Sequence, residues 1–94
     1  MKVNFKFVGS FRNITNKNKV VMELDEGVKL KEALKRIIEE FPKIERALID
    51  PELGDPRPNT LIVVNGREIS VLKGLETVLK NGDEVVFIPV SHGG

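Results

Sequence analysis

Hydrophobic and polar residues alternate at the start of the chain, which is the pattern of a half-buried β-strand. Within residues 2–8, one face carries a valine and two phenylalanines, and the other carries lysine and asparagine. A polar turn region over 13–18 follows, and the apolar residues within 19–24 are typical of a returning strand. The first quarter of the chain therefore predicts a β-hairpin.

One strongly amphipathic helix comes next. Its apolar residues recur at spacings of three and four, and they are Leu30, Ala33, Leu34, Ile37, Ile38 and Phe41. Charged residues occupy the opposite side, and Pro42 ends the pattern because proline cannot continue a helix. The start is less sharply marked, since Val28 and Lys29 are poor N-cap residues.

The segment after the helix predicts one short helical turn and then a long loop. Ile44, Ala47 and Leu48 have the spacing of a single turn. Residues 50–58 contain three prolines and Gly54, which is the composition of a loop.

The last third of the chain predicts a hairpin and a final central strand. The apolar run over 60–64 ends in Asn65-Gly66, a strong hairpin signal, and a brief return strand over 67–69 follows. An irregular stretch with three leucines leads to a second turn at 81–83. Residues 84–90 are apolar on both faces, as in a central strand.

The order of these elements predicts the fold. The first and last strands have the densest apolar content, so we expect them side by side in the middle of the sheet, with the helix as the crossover on one face. This is an α+β class fold, the β-grasp (ubiquitin-like) arrangement, with a mixed sheet of four to five strands and one main helix. We predict a β-grasp domain over 1–90 and a flexible C-terminal tail over 91–94.

Composition excludes several classes of function. The 94 residues carry a net charge of +1 and no cysteine, tryptophan or tyrosine. The absence of cysteine rules out disulfides, thiolate metal sites and sulfur carried on a side chain. Balanced charge without stacking aromatics does not indicate a nucleic-acid partner. Apolar runs of four or five residues are too short for a membrane span, and no signal peptide is visible, so the predicted location is cytoplasmic.

The sequence ends in Gly93-Gly94. Two glycines pack nothing, but a backbone without Cβ atoms is slim enough to enter a narrow channel in another protein, with a carboxylate at its tip. The alternative is that the pair is incidental, since small residues are common at chain ends. Fully extended, Ser91 to Gly94 would reach about 13 Å.

Four stretches of the chain resemble the MoaD family, the small sulfur-carrier subunits of molybdopterin synthase within the ubiquitin-like sulfur carriers. They are 7–12 (FVGSFR), 64–67 (VNGR), 74–85 (GLETVLKNGDEV) and 87–94 (FIPVSHGG). The resemblance covers nearly the whole chain and is most specific in its last third. Two departures are a valine after Pro89, where the family often has a second proline, and Ile88 where some members have phenylalanine.

The chain itself lacks the groups that would activate a carboxylate. It has no Walker-type phosphate loop, no acidic metal cluster and no nucleophile–base pair, so we predict a carrier rather than an enzyme, with no metal and no bound cofactor. The resemblance implies that a separate ubiquitin-activating-like adenylating enzyme uses ATP to adenylate Gly94. It further implies that sulfur transfer then leaves a thiocarboxylate, and that Gly93-Gly94 inserts into the large subunit of molybdopterin synthase.

A partner-binding surface is predicted beside this tail. Alternation in the last strand sends Val86 and Ile88 away from the helix, where Val8 of the first strand joins them, and an exposed apolar cluster usually marks a partner surface. The alternative is that the loop over 43–59 folds over these residues. Pro89, Ser91 and His92 are the remaining partner-binding candidates. His92 either contacts a partner or stabilises the adenylate or thiocarboxylate.

Other functions fit the same features. A ubiquitin-like modifier would join Gly94 to lysines of other proteins, and the sequence does not separate it from a sulfur carrier. Carriers for thiamine, tRNA thiolation or cysteine synthesis are further alternatives, although the thiamine type usually lacks an insertion like 43–59. A plain β-grasp interaction domain would tolerate the loss of Gly93-Gly94.

Overall fold

The first and last strands lie side by side and parallel in a five-stranded mixed sheet. The computed structural model of the chain describes residues 1–90. Its strands are β1 (Lys2–Phe7), β2 (Lys19–Glu23), β3 (Thr60–Val64), β4 (Arg67–Glu68) and β5 (Glu84–Pro89), in the spatial order β2-β1-β5-β3-β4. The other neighbouring pairs of this sheet are antiparallel.

Among the described residues, three α-helices accompany the sheet: α1 (Ser10–Thr15), α2 (Leu30–Glu40) and α3 (Glu45–Leu48). Short 3₁₀ turns lie at Pro42–Ile44, Ile69–Val71 and Gly74–Glu76. With α2 on one face of the mixed sheet, the molecule has the predicted β-grasp architecture, which confirms the fold class.

The core lies between α2 and the inner face of the sheet. Four inward-facing residues of α2 (Leu30, Ala33, Leu34 and Ile37) are buried there, as the spacing predicted. Phenylalanine rings fill the middle: the centroid of Phe87 lies 6.0 Å from that of Phe5 and 5.9 Å from that of Phe7. The Phe41 ring meets Phe7 edge-on at 5.5 Å, so the end of α2 is fixed to the central strands by aromatic contacts.

The start of α2 does not need an N-cap side chain of the usual kind. The backbone N–H of Lys29 donates to the Glu32 carboxylate at 3.3 Å, and the N–H of Leu30 donates to the carbonyl of Thr77 at 2.8 Å. Two N–H groups at this end are thus taken up by Glu32 and by a neighbouring segment, which is why poor capping residues are tolerated.

The polar segment after β1 departs from the prediction. Residues 10–15, partly assigned to a turn, form helix α1. Tertiary contacts outweigh the weak helix propensity here, because Phe11 is buried in the core and the hydroxyl of Thr15 donates to the Phe11 carbonyl at 2.9 Å. Asn16 then ends the helix in the left-handed conformation (φ 60°).

The predicted turn at Asn65-Gly66 is confirmed. Both residues have positive φ (50° and 80°), as a two-residue hairpin turn of type I′ requires. The returning strand β4 is one residue shorter than predicted, because Ile69 leaves the ladder to enter the core and begins a 3₁₀ turn. No helix within residues 1–90 combines the length and the apolar character needed to cross a membrane.

Candidate functional site

The predicted tail leaves the domain at the end of β5. Pro89 lies opposite Thr60 in the ladder with β3, and the N–H of Val90 donates to the carbonyl of Asn59 at 2.9 Å. The chain is therefore held by backbone pairing as far as residue 90. The predicted tail residues Ser91, His92, Gly93 and Gly94 lie outside the residues that the structure describes.

Gly9 packs against Pro89 at the end of β5, and we call Pro89 and Val90 the tail exit. It follows β1 with φ 59° and ψ −131°, a conformation that favours glycine, and the N–H of Phe11 donates back to the carbonyl of Val8 at 3.3 Å. A Cβ atom at Gly9 would lie 3.2 Å from Cγ of Pro89. The missing side chain lets the proline ring lie directly against the turn, so the direction in which β5 ends is fixed.

An apolar surface covers the outer face of the sheet beside the exit. We call Val8, Leu61, Val63, Val86 and Ile88 the outer patch; their neighbours along the strands point into the core. Ile88 lies opposite Leu61, and Val86 lies opposite Val63, so these side chains form two cross-strand pairs on one face. Val8 is 42% exposed and Leu61 is 37% exposed.

The alternative prediction is that the segment over 43–59 folds over this surface. Ile44 and Leu48 of that segment are fully buried in the core, and the turn at Pro42–Ile44 contacts α1 and α2. The hydroxyl of Thr60 donates to the Leu48 carbonyl at 3.0 Å and ties the segment to the start of β3. The first half of the segment thus packs with the helices, and Val8 and Leu61 keep exposed surface.

Charged residues mark the boundaries of the outer patch. Lys6 and Glu84, on neighbouring strands, form an ion pair with 3.4 Å between Nζ and Oε2. Near the exit, Arg57, Leu61 and Val90 line a common pocket. Asp55 holds that guanidinium, with 2.6 Å between Nη2 and Oδ2, and the hydrogen bonds from Arg57 lower the pKa of Asp55. An Arg57–Asp55 ion pair therefore lies near the end of β5.

Comparison with known proteins gives the family. The ThiS family model matches residues 5–94, which is almost the whole chain. This chain belongs to the ThiS family. Together with the relatives below, the match confirms the resemblance inferred from the sequence: the chain is a ubiquitin-like domain of the sulfur carrier and modifier class.

Three relatives illustrate the range of this family. Small archaeal modifier protein 3 of Haloferax volcanii is 29% identical, over 99% of this chain and 100% of the relative. The solution structure of small archaeal modifier protein 1 from Methanosarcina acetivorans has a TM-score of 0.82 and 25% identity, and the match covers 99% of this chain and 96% of that one. A putative molybdopterin converting factor subunit 1 from Pyrococcus furiosus has a TM-score of 0.77 and 25% identity, with 96% and 98% covered.

Two members of the outer patch of this ThiS-family chain were missed by sequence reasoning. Leu61 and Val63 belong to a strand that is apolar on both faces, like β5. The signal was present, since such a run places alternate residues on the face away from the helix. It becomes informative only when the sheet order sets β3 next to β5.

The strongest pKa shift among the described residues is that of Glu76, in the segment that precedes β5. The carboxylate of Glu76 binds the ammonium groups of Lys31 at 2.8 Å and Lys29 at 2.9 Å, and these hydrogen bonds lower the pKa of Glu76 to about 2. The trio ties the segment before β5 to the first turn of α2. We call these three residues the Lys29–Glu76–Lys31 clamp.

Within residues 1–90, no cluster of three His, Cys, Asp or Glu side chains could hold a metal ion.

Proposed function

We propose that this chain is a ubiquitin-like sulfur carrier that works through Gly94, as the small, non-catalytic subunit of molybdopterin synthase. The observation that carries the proposal is the position of the tail exit: Pro89 and Val90 are fixed at the end of the central strand, directly beside the outer patch. A protein that docks on the patch receives the Gly-Gly tail at a defined point.

The proposed chemistry is the one that the resemblance to the sulfur carriers implies. A carboxylate is a poor acyl donor, and this chain has no cysteine to carry sulfur on a side chain. A separate adenylating enzyme joins the Gly94 carboxylate oxygen to the α-phosphorus of ATP and releases pyrophosphate. Sulfide then attacks the acyl carbon and AMP leaves, so one oxygen of the carboxylate is replaced by sulfur. ATP belongs to the activating enzyme, and the carrier needs no cofactor of its own.

Partner binding is assigned to the outer patch together with Pro89, Ser91 and His92. Apolar side chains on a β-sheet, bordered by the Lys6–Glu84 ion pair, have the composition of a small interface with a polar rim. The adenylating enzyme and the large synthase subunit would use this surface in turn, because each must take up the same tail. The cytoplasmic location predicted from the sequence agrees with a reaction that consumes ATP.

A second function is supported by a separate observation. The relative matched over its whole length is named as a small archaeal modifier protein, so conjugation of Gly94 to lysines of other proteins is the main alternative. Sulfur delivery to thiamine, tRNA or cysteine synthesis would use the same thiocarboxylate with a different acceptor. All of these functions share the adenylation step, and they diverge after it.

The first experiment measures the intact mass after incubation with ATP, magnesium, sulfide and the adenylating enzyme of the source organism. We expect a gain equal to the difference between sulfur and oxygen, absent from a control that lacks Gly94. An unchanged mass, with an enzyme shown to be active, would contradict the sulfur-carrier proposal.

A second experiment separates carrier from modifier. Lys80 is the last lysine or arginine of the sequence, so trypsin would leave the peptide 81–94 attached through Gly94 to any modified lysine. A cell extract supplied with ATP and the chain is digested and searched for that branched peptide. Its appearance would favour the modifier, whereas a thiocarboxylate that forms without branched peptides favours the carrier.

A further inference from the structure

Within residues 1–90, strand β2 forms one edge of the sheet and pairs only with β1. Just beyond the β1–β2 ladder, the terminal ammonium of Met1 donates to the Leu24 carbonyl and the N–H of Leu24 donates to the Met1 carbonyl, each at 2.8 Å, so these two residues form a hydrogen-bonded pair. Hydrogen-bonded pairs alternate with non-hydrogen-bonded pairs in an antiparallel ladder. Counting from Met1 and Leu24, the next hydrogen-bonded pairs are Val3 with Met22 and Phe5 with Val20, so the N–H and C=O groups of Met22 and Val20 face β1. The backbone groups of the residues between them therefore point away from the sheet.

Those outward-pointing residues are Lys19, Val21 and Glu23. Their side chains lie on the outer face, since Met22 between them is buried. Val21 is 55% exposed, and the Glu23 side chain is 71% exposed. Open backbone groups beside an exposed apolar residue are a template for pairing with another strand.

The residues of this edge are complementary to themselves. If a second copy of β2 lies antiparallel with Val21 opposite Val21, then Lys19 of each copy lies opposite Glu23 of the other. Opposite charges on directly facing residues stabilise a strand pair, and like charges destabilise it. A slip of two residues in either direction sets a charged residue against Val21 and loses both charge pairs.

We propose that the edge of β2 is a self-association surface, on which a second copy of this chain pairs antiparallel about a two-fold axis at Val21. The two five-stranded sheets would join into one. On the inner side, the groove between β2 and α2 would face the same groove of the second copy. Val20, Met22 and Phe41 line this groove together with the charged residues Lys17, Glu23, Arg36 and Glu40.

This surface is separate from the tail exit. Strand β1, with Lys2, Asn4 and Lys6 on its outer face, lies between β2 and β5. Pairing through β2 therefore leaves the outer patch free, and the inference does not depend on the proposed function. One short strand pair is small beside the roughly 1,200–2,000 Å² of a stable interface, so we expect a dissociation constant of about 0.1–1 mM.

Charge reversal tests the register. Sedimentation and translational diffusion of the full chain are measured from about 20 μM to about 2 mM, a range that brackets the expected constant. K19E and E23K each set like charges opposite one another, and each is expected to weaken self-association at least about fivefold. The double variant K19E/E23K restores it, and an equimolar mixture of the two single variants associates. Because positions 19 and 23 are exposed, we expect all three variants to fold, and circular dichroism checks this.

Cross-linking gives an independent measurement. The chain has no cysteine, so V21C carries a single thiol. Directly opposite residues lie about 5.5 Å apart at Cα, within reach of a disulfide. Under mild oxidation, V21C should form a covalent dimer at least about tenfold faster than V71C, a control at a 69% exposed valine outside the sheet. Equal rates, a wild type that stays monomeric to about 2 mM, or a double variant that fails to restore association would overturn the proposal. If the wild type stays monomeric, the edge of β2 remains available for pairing with a strand of a different protein.

Discussion

The ring of Pro89 lies against Gly9 so closely that a Cβ atom at Gly9 would come within 3.2 Å of its Cγ. This contact joins the turn after β1 to the end of β5, where the predicted tail begins. The two central strands are thus fixed to each other at the end where β5 leaves the sheet.

G9A is expected to destabilise the fold by about 1–3 kcal/mol, because alanine must adopt a glycine-favoured conformation and also displace Pro89. G27A is the matched control: Gly27 has φ +80°, but a Cβ there would meet nothing within 4 Å. Urea unfolding measures both. A loss for G9A no larger than that for G27A would show that the Pro89 contact contributes nothing.

L61E is expected to weaken binding of the adenylating enzyme about tenfold or more, because it puts a charge in the outer patch. Its effect on folding should be small, since Leu61 is partly exposed on the face away from the core. V71E provides the comparison at an exposed valine outside the patch. Affinity is measured by titration calorimetry, and equal affinities for the two variants would contradict the assignment of the patch.

E76Q is expected to lower stability at neutral pH. The folded-state pKa of Glu76 is about 2, below its ordinary value of 4.5, so its contribution is present above the ordinary value and is lost as pH falls through the folded value. The difference between wild type and E76Q should therefore shrink between about pH 5 and pH 2. Because the group is exposed, high salt should reduce the difference as well.

The measurement for E76Q is urea unfolding at pH 7 and near pH 2, each at low and high salt. Glu52 is an exposed glutamate of the loop after α3, so E52Q controls for the loss of one surface charge. If E76Q and E52Q behave alike at every pH, the Lys29–Glu76–Lys31 clamp has no effect on stability.

F87A is expected to cost about 3–5 kcal/mol, because Phe87 is fully buried between Phe5 and Phe7 and its removal leaves a cavity. F87L keeps most of the volume and should lose roughly half as much. Thermal unfolding measures both variants. Equal losses would indicate that the aromatic contacts, and not the filled volume, determine the effect.

Most of the fold was predictable because the strongest signals are local. The period of α2, the stop at Pro42 and the Asn65-Gly66 turn each depend on residues close together in sequence, and each is confirmed. Helix α1 was not predicted, since its six polar-rich residues are helical only because Phe11 enters a core built from distant strands.

The features of the candidate site also fall into two groups: those that follow from the sequence alone and those that depend on the tertiary structure. The sequence by itself determined the residue types: a Gly-Gly end, no cysteine, and valine or isoleucine on the second face of the last strand. Only the tertiary structure decided that Leu61 and Val63 complete the outer patch, because the pairing of β3 with β5 joins residues more than twenty positions apart. It also decided that the ring of Pro89 packs against Gly9 and that, within residues 1–90, β2 is an edge strand. Strand order and close backbone approach arise from non-local pairing, which no local pattern encodes.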